Sequence, residues 1–187
     1  LATRALSLDV TDSDDSDDAD VLSPDELAGV LEPFGALTAA EFRQAVNEAA
    51  FRTGRDVDDD ALAARVDDAT DSFHLVRVEP DAVQRVVPSL SGDDAAYVPG
   101  PRAWPAEPDG AEDLPHILDV DPRTVDRDAL AARVRQQLRA GIERAAAAGD
   151  GDHLQDLLDV TYDVETWANV DLDDTRGLAD GALANLD

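Results

Sequence analysis

The stretch DDDALAARVDDATDSFHLVRVE, residues 58–79, decides the fold. Its three leading aspartates open a helix in which Leu62, Val66, Ala69 and Phe73 recur about one turn apart. The period then changes. From His74 to Glu79 apolar and charged residues alternate, as in a strand with one buried face. Two further helix starts lie upstream. Ser23-Pro24-Asp25-Glu26 supplies a capping hydroxyl, a proline suited to the first helical position and two carboxylates for the positive end of the dipole. Leu27, Val30 and Leu31 follow on one face, and Pro33-Phe34-Gly35 stops the helix. Thr38-Ala39-Ala40-Glu41 is a capping box, followed at helical spacing by Phe42, Val46, Ala49 and Ala50 and ended by Gly54.

Three helices and a short apolar strand, with Leu37-Thr38-x-x-Glu41-Phe42 opening the second helix, resemble the winged-helix family. That resemblance covers the order of elements over residues 23–79. It implies a mainly α fold, a three-helix module completed by a small β-hairpin, and a third helix that enters the DNA major groove. Ala96-Tyr97-Val98 is the candidate second arm of the hairpin, pairing with residues 74–79. A three-helix unit with an accessory strand is the plainer alternative.

Around this module the chain divides by composition. Residues 1–22 form an acidic segment, and the run from Asp9 to Asp20 predicts a self-repelling disordered tail. It lacks the glycine and glutamate spacing of a calcium loop. The winged-helix-like module spans 23–98, with Val83, Val86 and Val87 in a short helix or strand. Six of the ten prolines fall between Pro88 and Pro115, so 99–122 reads as a proline-rich connector, with Trp104 packed back as an anchor. Over 123–187 the chain is helical again. Leu130, Val134, Leu138 and Ile142 recur every fourth residue, and a Gly149–Gly151 turn leads to a helix over about 152–160, giving a helical hairpin. Trp167 is expected to close the packing, and a last short helix covers 173–186. Residues 57–66 and 125–134 agree at nine of ten positions, both as aspartate-led, alanine-rich helix starts, while the residues that follow diverge.

Net charge is −28 over 187 residues, and the 15 basic residues are all arginine. Repulsion among so many carboxylates opposes a compact state in dilute buffer, whereas at 1 M salt the screening length is only about 3 Å. A lysine-free, aspartate-rich surface resembles that of haloarchaeal proteins, and the chain as a whole resembles an uncharacterised haloarchaeal family. The resemblance implies a saline cytoplasm. Consistent with that location, no apolar run approaches the ~20 residues of a membrane span, and Leu1 to Val10 has too short an apolar core for a signal peptide. The chain begins at Leu1 rather than Met, which leaves the native N-terminus open.

Chemistry is sparse. Without cysteine there is no disulfide, thiolate metal site or Cys nucleophile. His74, His116 and His153 lack metal-binding spacing, and no phosphate loop or nucleophile elbow is present. No enzyme, cofactor or metal is therefore expected. The candidate partner contacts are Arg43, Arg52 and Arg55 on and after the second helix, Arg77 or Arg85 at the wing, and Arg133, Arg135 and Arg139 in the locally basic segment from Arg127 to Arg144. The third helix carries six aspartates (58, 59, 60, 67, 68, 71) against Arg65, which opposes phosphate contact. The expectation is a non-enzymatic protein-interaction or regulatory adaptor, with an unknown protein partner. A DNA-binding regulator using the same module is the alternative.

Circular dichroism followed across salt checks the electrostatic reading. On dialysis to about 0.05 M salt the helical signal should collapse, and it should return on adding KCl to about 2 M. A signal retained at low salt would contradict it.

Overall fold

Both capping boxes form. In the computed structural model, which describes residues 22–91 and 93–186, Ser23 and Glu26 cap each other's backbone at the start of α1 (Pro24–Leu31), and Thr38 and Glu41 do the same for α2 (Ala39–Arg52). The chain continues through α3 (Asp59–Asp71), β2 (Leu75–Val78), α4 (Pro80–Val86), β3 (Ala96–Pro99), a 3-10 turn (Ala111–Asp113), α5 (Leu114–Leu118), α6 (Arg127–Ala148), α7 (Gly151–Trp167) and α8 (Asp173–Ala184). A two-residue β1 (Leu37–Thr38) precedes α2. The expected mainly helical fold is thus present, with a three-stranded antiparallel sheet in the order β1-β3-β2.

The repeated decapeptide marks two helix starts of the same design. Asp58 Oδ1 accepts from the amides of Asp60 and Ala61, and Asp126 Oδ1 from that of Ala129. In each case the valine before the cap and the leucine four residues into the helix join the same apolar cluster: Val57 with Leu62, and Val125 with Leu130. That is a hydrophobic staple, which fixes the angle at which the chain enters the helix.

β2 and β3 pair as anticipated, Val76 opposite Val98 and Val78 opposite Ala96, but α4 lies in the connection between them in place of a tight turn. The strand was expected to bury one face, and it buries both. Leu37, Leu75 and Tyr97 point into a core shared with α1, α2, α3 and α5, while Val76, Val78, Ala96 and Val98 point into a second core with α4, α6, α7 and α8. Side chains alternate across a strand, so the sheet is a middle layer with helices on both sides. The C-terminal hairpin supplies the second side. Its α6–α7 turn uses Gly149 at φ 69°, α7 runs past the expected end at 160 to Trp167, and α8 packs against both helices.

The connector attaches differently from expectation. Trp104 is 85% exposed. The backbone is the anchor there: the Trp104 amide donates to Asp25 Oδ1 at 2.9 Å and the Ala106 amide to the Asp25 carbonyl at 3.0 Å. Gly29 makes this approach possible, since a Cβ there would lie 2.1 Å from the Ala106 carbonyl oxygen. With the main chain held against α1, the indole turns to solvent. Further on, Leu114 is fully buried in the first core. The disordered tail was expected over 1–22, but Leu22 is buried in the first core; the remainder of that tail, 1–21, lies outside the described residues.

Arg123 closes the first lobe. Its guanidinium donates to both Glu41 oxygens at 2.7 Å and to the Ala36 carbonyl at 3.0 Å. Arg123 holds the Glu41 carboxyl below the usual carboxylate range; burial opposes this, and the Thr38 amide and hydroxyl add to it. A depressed carboxyl stabilises the fold above its ordinary pKa and loses that contribution as the pH falls through the folded value. Glu41→Gln should therefore cost about 1–3 kcal/mol near neutral pH. The gap to wild type should close below the carboxylate range, as read by denaturant titration in KCl. A gap that widens in acid would contradict the assignment.

Candidate functional site

An open cleft of about 660 Å³ lies where the C-terminal end of α3 meets α6 and the start of α7. Helical periodicity builds its α6 wall: Arg133, Gln136, Gln137, Ala140 and Arg144 fall at intervals of three, four, seven and eleven residues, one stripe beside the buried Leu130–Gly141 face. Thr70, Asp71 and Phe73 form the facing wall, and Leu157 and His153 close the side toward α7. Gly141 lets α6 and α7 approach, because a Cβ there would sit 3.3 Å from a Leu157 methyl. Gln137 Nε2 donates to the Arg77 carbonyl at 3.1 Å and ties α6 to β2. Arg133 and Arg144 have no carboxylate partner among the described residues, and Arg133 Nε is buried with no hydrogen-bond partner.

The structure separates the arginines that the sequence groups together. Arg135 and Arg139 are exposed on the side of α6 away from the cleft. Arg43 and Arg52 are nine residues apart, half a turn out of phase, and so cannot act as one patch. Arg43 lines a groove with α3, Arg52 lies 3.5 Å from the Gly110 carbonyl, and Arg55 bridges Glu26 at 2.9 Å. Arg77 pairs with Glu79 at 3.4 Å, and Arg85 is exposed on α4. Sequence reasoning missed Gln136, Gln137 and Phe73. The spacing on α6 carried a signal for the two glutamines; the meeting of α6 with the end of α3 had none.

The groove between α2 and α3, about 340 Å³, has an apolar floor of Phe42, Val46, Leu62, Val66 and Tyr97 and a rim of Arg43, Asp59, Asp60 and Asp67. Phe42 and Tyr97 stack at 5.1 Å between centroids. Outside the groove rim, Asp68 and Asp71 are also exposed on α3. Among the described residues one carboxylate group has metal-holding geometry, Glu165 with Asp171 and Asp173. Arg176 already occupies it, donating to Glu165 at 2.7 Å and pairing with Asp173. It is an ion-pair cluster that joins α7 to α8.

The chain belongs to a family of unknown function, DUF7109, whose model matches residues 25–184. No curated protein and no solved structure matches it. Among the described residues no helix is long and apolar enough to cross a membrane.

Phe73, on the cleft wall, is a non-glycine residue at φ 61°. It ends α3 in a left-handed turn in which the His74 amide reaches the Ala69 carbonyl at 2.9 Å, a place usually held by glycine. The buried ring offsets a backbone cost of about 1–2 kcal/mol. Phe73→Ala should destabilise by about 3–4 kcal/mol. Phe73→Gly, losing the same ring, should be about 1 kcal/mol less damaging. Thermal unfolding of the two variants in KCl decides, and an alanine variant at least as stable as the glycine one would contradict the assignment.

Proposed function

We propose that this chain is a non-enzymatic protein-binding adaptor of a saline cytoplasm, built on a winged-helix-like module. Supporting the module is the order α1-β1-α2-α3-β2-α4-β3, in which three helices lead into a strand that pairs with β3; the short β1 and the intervening α4 are additions to the three helices and hairpin that the resemblance implied. Supporting the haloarchaeal setting are the charge of −28 and the absence of lysine. One observation carries the choice of partner. The helix that would face a duplex presents exposed Asp59, Asp60, Asp67, Asp68 and Asp71. Duplex affinity comes chiefly from cations that neutralise phosphates, and salt weakens the repulsion of an acidic helix without reversing it. The groove beside that helix joins an apolar floor to an acidic rim. It fits a protein segment that inserts an apolar side chain flanked by basic ones.

The second reading is a DNA-binding regulator. It is favoured by Arg43 beside α3 and by Arg133 near the far end of the same helix.

Affinity capture from a native extract and mobility shift on duplex DNA, both in about 2 M KCl, separate the readings. Ala63 is exposed on the groove, so Ala63→Arg blocks it without touching the core. The adaptor reading expects a stoichiometric protein partner with wild type, loss of that partner with Ala63→Arg, and no shift of DNA. A duplex retained by wild type and released by Arg43→Glu would replace it with the regulator.

A further inference from the structure

We infer that the cleft between α3, α6 and α7 is a binding site for a small, elongated polyphosphate, either free or carried by a nucleotide. The inference is independent of the groove beside α2 and assigns the protein a small-molecule effector.

Charge is the first argument. In a chain with 43 acidic residues, several arginines elsewhere bridge carboxylates: Arg123 with Glu41, Arg102 with Asp156, Arg176 with Glu165, Arg55 with Glu26. Arg133 and Arg144 line one concavity and lack such partners among the described residues. Of the residues lining the cleft, Asp71 alone is a carboxylate. Polarity is the second argument. The Nε of Arg133 is enclosed without an acceptor, an unfavourable state for a cationic side chain that an oxyanion lying along the α6 stripe and meeting the outer nitrogens of its guanidinium would offset. Arginine's rigid fork of donors suits phosphate oxygens and is weakly hydrated, so such contacts persist where salt has screened simple attraction.

Shape sets the length of the ligand. Eleven residues of helix place the two Cα atoms about 16 Å apart. Both side chains lean toward the helix N-terminus, so the guanidinium groups remain on the order of 10 Å or more apart along the groove. One phosphate cannot meet both, whereas a chain of two or three phosphoryl groups can. The volume of about 660 Å³ exceeds what inorganic anions need and falls in the range of small-molecule sites. Phe73 and Leu157 give an apolar wall on which an attached organic group would rest, and Gln136 adds an amide beside Arg133.

Isothermal titration of the full chain in about 1 M KCl, free of magnesium, tests the assignment with two probes, inorganic tripolyphosphate and ATP. Saturable one-to-one binding of tripolyphosphate is expected, weakened at least tenfold by Arg133→Gln and by Arg144→Gln. Arg135→Gln and Arg139→Gln, on the other side of α6, should bind as wild type does. Tighter binding of ATP would identify a nucleotide; equal or weaker binding would identify the bare polyphosphate. Circular dichroism of each variant in the same buffer excludes loss of fold, and Arg144, being exposed, can be replaced without disturbing the core. Absence of saturation with both probes would overturn the site. Equal weakening by all four substitutions would do so too, since it would mean diffuse attraction, as would a short DNA duplex that binds through Arg133 while neither probe does.

Discussion

Everything in this fold follows from a small sheet that has two apolar faces. Leu37, Leu75 and Tyr97 are buried on one side, and Val76, Val78, Ala96 and Val98 on the other. Each such side chain is worth roughly 1.5–3 kcal/mol when fully buried, and a chain with only 4% aromatic residues has few large groups to waste. A three-helix unit can cover one face only. The other would lie open as a patch of valines were it not for α4 and the C-terminal helices, whose Leu130, Val134, Leu138, Leu157 and Val160 complete the second core. The C-terminal helices are therefore required by the strand that α3 leads into. The cleft is a by-product of this demand, since covering the second face brings α6 alongside the end of α3.

Electrostatics reinforces that layering at a few places. Arg123 reaches from the loop between α5 and α6 to the carboxylate that also caps α2, and Arg102 reaches from the segment after β3 to Asp156 and Asp163 on α7. The two arginines tie the ends of the stretch between β3 and α6 to helices on opposite sides of the sheet. Of these, the Arg123–Glu41 pair is the more sheltered, with side-chain exposures of 14% and 27%. Concentrated salt erodes exposed pairs and spares sheltered ones. At high ionic strength the fold would gain most from pairs placed as Arg123 is. Its many surface aspartates contribute little to holding the fold together.

How much of this was legible in the sequence depended on the range of the interaction. The caps at Ser23, Thr38, Asp58 and Asp126 are local hydrogen bonds between residues two or three apart, and their spacing announces them. The pairing of 96–98 with 74–79 could be anticipated because both runs are short and apolar. Trp104 was misjudged on size: a large indole suggests burial, yet the backbone of that segment is what docks, through Asp25 and past Gly29. The helix expected over about 152–160 runs on to Trp167, through Thr161 and Val164, which are β-branched and weak helix formers. Both are buried against the second core, which outweighs that propensity. The arginines are separated for a geometric reason. Arg43, Arg52 and Arg55 are close in sequence, but the helix turns them to different sides, and only a count of turns separates Arg133 from Arg135.

That count of turns also resolves an apparent conflict between an acidic third helix and a basic sixth one. If the net charge were the deciding quantity, arginines on α6 would be drawn toward nearby carboxylates and neutralised. At high salt, however, attraction at distances beyond a few ångströms is lost, and only groups held in contact by the fold remain paired. Arg176 and Arg123 are held so; Arg133 and Arg144, in a wall whose facing residues are Thr70, Asp71 and Phe73, are held apart from most acids by the packing of three helices. Screening thus turns the placement of charge from a property of the whole surface into a property of each concavity. The same chain can then present a carboxylate-lined face along α3 and an arginine-lined cleft at the end of that helix.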